Sequence, residues 1–183
     1  MKAAIRLRSY VGNPDPLTHA ANRIAVLVAS SQPTYPLYVL WTAGGNWWVA
    51  CWTFLSTPLF VAVPALARRN ALGGRILLPG AGIANSLLAP KAMGEASGVE
   101  LFLVPCALIG VLGIRRHEWF VSLALLASVF AALLLHGHYG APLGRFDSQG
   151  YAALVRLNAA SAGFLSLVVV WSFIRARTSS ARP

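Results

Sequence analysis

Apolar residues fall in long blocks along this chain. Runs at residues 24–42, 47–66, 76–90, 98–114, 119–136 and 153–174 are separated by short polar breaks. Each approaches the length of about 20 residues that a helix needs to cross a bilayer. The first is interrupted by "SSQPTYP". Six spans of about 20 residues would use roughly 120 positions, which leaves only tails and short loops. The predicted fold class is therefore all-α, a polytopic membrane bundle of six transmembrane helices. Residues 1–183 read as a single integral membrane domain, with a basic interfacial segment at 1–23 and a basic tail at 175–183.

Composition agrees, since 57% of residues are hydrophobic and only 11% are charged. Soluble domains carry about 25% charged residues. The net charge of +10 raises nucleic acid as a partner, but its distribution excludes that reading. With the N-terminus inside, the inner segments hold Lys2, Arg6, Arg8, Arg23, Arg68, Arg69, Arg75, Arg115, Arg116, Arg175, Arg177 and Arg182. The outer ends hold Lys91, Arg145 and Arg156. This positive-inside bias predicts both termini in the cytoplasm, with anionic lipid headgroups as the partners of the arginines. The stretch "SYVGNPDPLTHAANR" after the first arginines is too polar for a signal-peptide core. Residues 1–23 are expected on the membrane surface instead, with Ile5, Leu7 and Val11 dipping into it.

Cys51 and Cys106 lack a CxxC partner and read as small hydrophobes at helix contacts. Prolines at 33, 36, 58, 64, 79, 90 and 105 suit a bundle whose neighbours satisfy the freed carbonyls. Small-residue steps from Gly80 to Ala84 and from Ala159 to Gly163 predict close helix packing.

The uncharged lengths carry the site argument. Fifteen residues lie between Arg75 and Lys91, roughly 22 Å of helix against a hydrocarbon core of about 30 Å. With arginines fixing the inner ends, the deficit falls outside. Glu100, His136, Arg156 and Asn158 then lie at or just below the outer interface, and Asn85 near the midplane. Polar groups at such depth must pair or face water. They are expected around an outward-facing crevice, with Glu100 and Arg156 as an ion pair and His136 beside them. Glu95, His138, Tyr139 and Asp147 form its rim. The competing reading makes the same groups glue between helices.

His136 and His138 project about 200° apart on a helix, so both bind one metal ion only if the helix has ended, which Gly137 and Gly140 favour. No ligand spacing is diagnostic, and no metal or cofactor is predicted. A single histidine titrating near neutrality is preferred. No GxSxG, HExxH, phosphate loop or paired intramembrane carboxylate appears, so the chain does not read as an enzyme. The halves show no repeat of the kind inverted-repeat transporters carry.

The segments "SSQPTYPLYVLW", "STPLFVAVPALARR", "GEASGVELFLVPCALIGVLGIRRHE" and "RLNAASAGFLSL" resemble the six-helix membrane anchors of bacterial sensory proteins. Such anchors precede histidine kinase or nucleotide cyclase domains, including quorum-sensing kinases that detect small lipophilic signals. The resemblance covers about residues 20–175 and is best in "GVELFLVPC". It implies a sensory module in the inner membrane that detects a small lipophilic ligand or the membrane state. Signalling would pass to a cytoplasmic kinase or cyclase, or through a homodimer. In this resemblance an effector follows the sixth helix, whereas the sequence here runs only nine residues past Ile174. The alternative is a small membrane enzyme or transporter using an outer Glu/His/Arg site.

Overall fold

The computed structural model describes residues 8–180. Lys2, Ile5, Arg6, Leu7 and Arg182, given roles above, lie outside them. The described chain is all-helical: α1 (Pro16–Ser31), α2 (Tyr35–Thr42), α3 (Thr57–Arg69), α4 (Ala71–Met93), α5 (Leu103–Leu112), α6 (Trp119–Leu134) and α7 (Ser148–Ser180). Short 3₁₀ segments extend several of these, notably Trp47–Ser56 before α3 and Val99–Phe102 before α5.

Among the described residues, three helical stretches are long and apolar enough to cross a membrane: Trp47–Arg69, Arg116–Leu134 and Ser148–Ser179. Only 17% of the most apolar window of Arg116–Leu134 is buried. Phe120, Phe130, Leu134, Phe164 and Leu167 all stand exposed. A surface this apolar is stable only against lipid or another apolar surface. Tryptophans mark the two ends of the bundle. Trp41, Trp48 and Trp52 are exposed near the α2–α3 connection, and Trp119 and Trp171 near the opposite end. Tryptophan prefers these interfacial levels, a signal the block pattern alone did not use.

Helix bounds differ from the apolar runs for identifiable reasons. The first helix begins at Pro16, eight residues before the run at 24–42, because its early polar positions are satisfied inside the protein. Thr18 and Asn22 are buried; Thr18 donates to Asp15 and Asn22 donates to the Val11 carbonyl at 3.0 Å. Residues 16–23 thus belong to the bundle rather than to a surface segment. Pro33 and Pro36 remove amide donors, and the chain passes through the 3₁₀ turn Gln32–Thr34 before α2. The hydroxyls of Ser30, Ser31 and Thr34 donate to carbonyls three residues back. α4 runs 23 residues, about 34 Å, so its flanking charges sit within the helix and do not bound it. α5 has only 10 residues.

Close packing occurs at other glycines than expected. A Cβ at Gly80 or Gly163 would meet nothing within 4 Å, whereas one at Gly82 would lie 2.5 Å from the Cys106 sulfur. The thiol fills the space that Gly82 leaves between α4 and α5. Apolar density looks alike on every side of a bundle helix, so spacing alone could not say which small residue faces a neighbour.

The polar contacts sort to the two ends. At one end Arg75 of α4, 2% exposed, donates to both Glu118 oxygens at 2.9 Å and to the Gly113 carbonyl at 3.1 Å. Arg115 pairs with Asp15 at 3.2 Å. Arg177 of α7 donates to the Leu112 carbonyl at 2.9 Å, closing the end of α5. Burial pushes the Asp15 carboxyl up, but the Thr18 hydroxyl and the Arg115 and Arg75 charges more than reverse this and hold it below its ordinary range. This ionic lock was not foreseen, because the arginines had been assigned to lipid headgroups.

Candidate functional site

At the opposite end, the α4–α5 connection presents Glu95 in the turn between Gly94 and Gly98 and Glu100 in the 3₁₀ segment Val99–Phe102. Gly94 has φ +89°, and a Cβ there would stand 2.8 Å from the Tyr151 hydroxyl, so only glycine fits. α6 ends as foreseen: Gly137 adopts φ +82° and Gly140 φ +67°. The released Gly137 amide donates to Glu95 at 2.9 Å. The His136 ring nitrogen Nδ1 lies 2.7 Å from Glu100 Oε2, and Nε2 lies 3.8 Å from Glu95. A carboxylate pair therefore ties the α4–α5 loop to the end of α6 through one imidazole.

The other expected partner is absent from this cluster. Arg156 is exposed on α7 and makes no ion pair among the described residues. Leu154 and Asn158, one turn apart, are both fully buried, so a residue midway between them points about 200° away from either. The Glu100–Arg156 pair is thus excluded by helix phase. His138 turns its Nδ1 to the His136 carbonyl at 3.1 Å. Asn158 donates to the Ser97 carbonyl at 2.8 Å and accepts from the Tyr35 hydroxyl at 2.9 Å. Both ends of its amide are used to join helices, the role weighed against ligand binding. Asp147 caps α7 by accepting from the Gly150 amide at 2.6 Å.

The hydrogen bond and charge of Glu100, with Glu95 behind it, hold the His136 imidazole above its ordinary range. Its folded form binds a proton more tightly than the unfolded chain does. The resulting stabilisation is full below the unfolded value of 6.5 and is lost as pH rises through the higher folded value. The unfolding midpoint of purified protein should exceed that of His136→Ala at about pH 5 and converge with it by about pH 9. A gap that stays constant across this range would refute the pairing. His138→Ala should follow the parent curve, and Glu100→Gln combined with His136→Ala should cost less than the two changes summed.

An apolar space lies deeper. A cavity of about 260 Å³ sits between α1–α2, α4, α5 and α7. Its walls are mostly apolar, with Phe60, Leu78, Met93 and Ile109 prominent. One wall is polar. Gln32 donates to Ser56 Oγ at 2.8 Å, Ser56 donates to Asn85 Oδ1 at 3.0 Å, and Thr57 donates to Gln32 Oε1. The Asn85 amide nitrogen has no hydrogen bond among the described residues, and the buried Ser86 hydroxyl also lacks a partner. Two unspent polar groups on an apolar cavity are what a ligand with one oxygen and a hydrocarbon body would complete. Leu27, Tyr38 and Phe164 line the cavity and are also exposed, which places its mouth on the apolar flank between α1–α2 and α7.

Of the residues expected to meet a ligand, Asn85 alone lines this cavity. Glu95, Glu100 and His136 form the end cluster, His138 decorates it, Asn158 ties helices and Arg156 faces away. Gln32, Ser56 and Ser86 were missed. A glutamine inside "SSQPTYP" was a signal available in the sequence, since a lone amide in an apolar run needs a partner. Among the described residues no three His, Cys, Asp or Glu gather as metal ligands.

A family model, MASE7, matches residues 18–182. No curated protein matches the chain significantly.

Proposed function

The chain belongs to the MASE7 family, one of the membrane-associated sensory domains of bacterial signalling receptors, and from that premise we propose a multi-pass inner-membrane sensor that binds a small lipophilic ligand in the α1–α7 cavity. The observation that carries the reading is the pairing of an apolar cavity with the unspent Asn85 amide nitrogen and Ser86 hydroxyl. The ligand enters sideways from lipid past Phe164, and its oxygen meets Asn85 and Ser86. The module performs no catalysis of its own. Leu157, Ser161, Phe164 and Leu165 of α7 line the cavity, and the same helix continues to Ser180 beyond the ionic lock. Occupancy thereby bears directly on the element that leads to a cytoplasmic kinase, cyclase or second copy of the chain.

Six membrane passes with both termini cytoplasmic complete the proposal. Its support is the arginine asymmetry together with the antiparallel run of the helices between the ionic lock and the His136 cluster. Reporters fused after Arg75, Arg116 and Arg177 should read cytoplasmic, and one after Ser97 external; the reverse at Ser97 defeats the topology.

The ligand reading is tested with medium-chain alcohols and alkanes of equal length, titrated into purified protein while the unfolding midpoint is followed. One or two hydrogen bonds of about 1 kcal/mol each predict a roughly tenfold tighter alcohol. Asn85→Ala should erase that preference, and Ser161→Trp should abolish binding of both probes. Equal affinities in the parent protein, or binding undisturbed by Ser161→Trp, would remove the cavity from the proposal.

A further inference from the structure

A second concavity opens near the ionic lock, and its chemistry is opposite to that of the cavity above. A groove of about 720 Å³ runs between α1 and α7, with Arg8, His19 and Arg23 at one end and Leu27, Val168 and Trp171 among its apolar walls. The two acids of this end are already engaged: Glu118 with Arg75, and Asp15 with Arg115 and Thr18. Arg68 is likewise held, donating to the Ser9 and Tyr10 carbonyls. The guanidiniums of Arg8 and Arg23 make no ion pair or hydrogen bond among the described residues, the Arg8 carbonyl alone accepting from the Gly12 amide. Arg175 stacks on Trp171 with 5.5 Å to the ring centroid, adding a further cation at the rim.

We infer that this groove is a binding site for one anionic phospholipid. Two free guanidiniums and a histidine lining one groove match a phosphodiester, which offers oxygen acceptors and a negative charge. The walls settle the source of that phosphate. A free anion gains nothing from Leu27, Val168 and Trp171, whereas an acyl chain buries them, and tryptophan favours the headgroup level. Leu27 lines both the groove and the cavity. Phe164 at the cavity mouth lies one helical turn from Val168. The lipid's chain therefore runs from the arginines toward the entrance of the cavity, and the bound lipid forms part of its threshold. The inference rests on the membrane embedding proposed above and is independent of which ligand the cavity takes.

The test uses the full chain in uncharged detergent, titrated with phosphatidylglycerol, with phosphatidylcholine of the same acyl chains, and with glycerol phosphate. The unfolding midpoint is the readout. Phosphatidylglycerol should bind roughly tenfold tighter than phosphatidylcholine, and glycerol phosphate should give no shift. Arg8→Gln with Arg23→Gln should reduce phosphatidylglycerol to the phosphatidylcholine level, while Arg116→Gln should leave it unchanged. Raising salt on the parent protein should also erase the preference. Equal affinities for the two lipids, a preference surviving the double variant, or glycerol phosphate binding as tightly as the lipid would each overturn the site. Alcohol binding in the cavity is read separately, so either proposal can fail alone.

Discussion

Arg75→Leu is expected to cost the fold about 3–5 kcal/mol, the range for removing one partner of a buried ion pair. Arg75 is 2% exposed and is the group on which three segments converge. It donates twice to Glu118 and once to Gly113, and its Nε stands 4.0 Å from Asp15. Without it, Glu118 keeps the Arg115 amide at 2.9 Å and an exposed His117 ring nitrogen at 3.9 Å, and its charge beneath the bundle end is left largely uncompensated. The penalty comes chiefly from that stranded charge and not from the lost bonds. Arg75→Leu combined with Glu118→Leu should therefore recover much of the loss, since an apolar pair of similar volume leaves nothing unpaired. Denaturant titration of the purified variants decides the matter. A single-variant loss below about 1 kcal/mol would mean that solvent or lipid headgroups screen the pair as at an exposed site.

Asn158→Leu should cost about 2–5 kcal/mol. The side chain is fully buried and joins three segments, accepting from Tyr35 at the start of α2 and donating to Ser97 in the α4–α5 loop. Leucine fills similar space but strands the Ser97 carbonyl and leaves the Tyr35 hydroxyl only the weakly accepting Met93 sulfur at 3.8 Å, each at about 1–3 kcal/mol. Tyr35→Phe with Asn158→Leu leaves one stranded group in place of two and should be less destabilised than Asn158→Leu alone. Tyr35 also lines the cavity, so the single variant should weaken alcohol binding as well as stability. An Asn158→Leu protein that unfolds like the parent would show that Ser97 finds another donor.

How far the site was legible follows from which property each residue needed. Glu100 and His136 were set at one height, beside each other, because both stand at the ends of apolar blocks, where length alone fixes height. Arg156 was paired wrongly because height says nothing of azimuth. On α7 the buried phase is set by Leu154 and Asn158, and a helix whose outer side is as apolar as its packed side offers no polar face from which to read that phase. The same blindness put close packing at Gly80 and Gly163 when Gly82 holds the contact.

The amino-acid sequence by itself determined the helical class, the membrane solvent and the sorting of cations to one end. Each of these depends on summed composition over about 20 residues, and neighbours cannot reverse it. Tertiary structure decided the rest. It extended the first helix back to Pro16, because Thr18 and Asn22 found partners inside. It converted Arg75 from a boundary charge into the centre of a lock, because Glu118 was folded onto it. It also gathered Gln32, Ser56 and Asn85, distant along the chain, onto one wall of a cavity. Pairings of this kind depend on the relative rotation of packed helices, which side-chain fit sets and apolar periodicity does not encode.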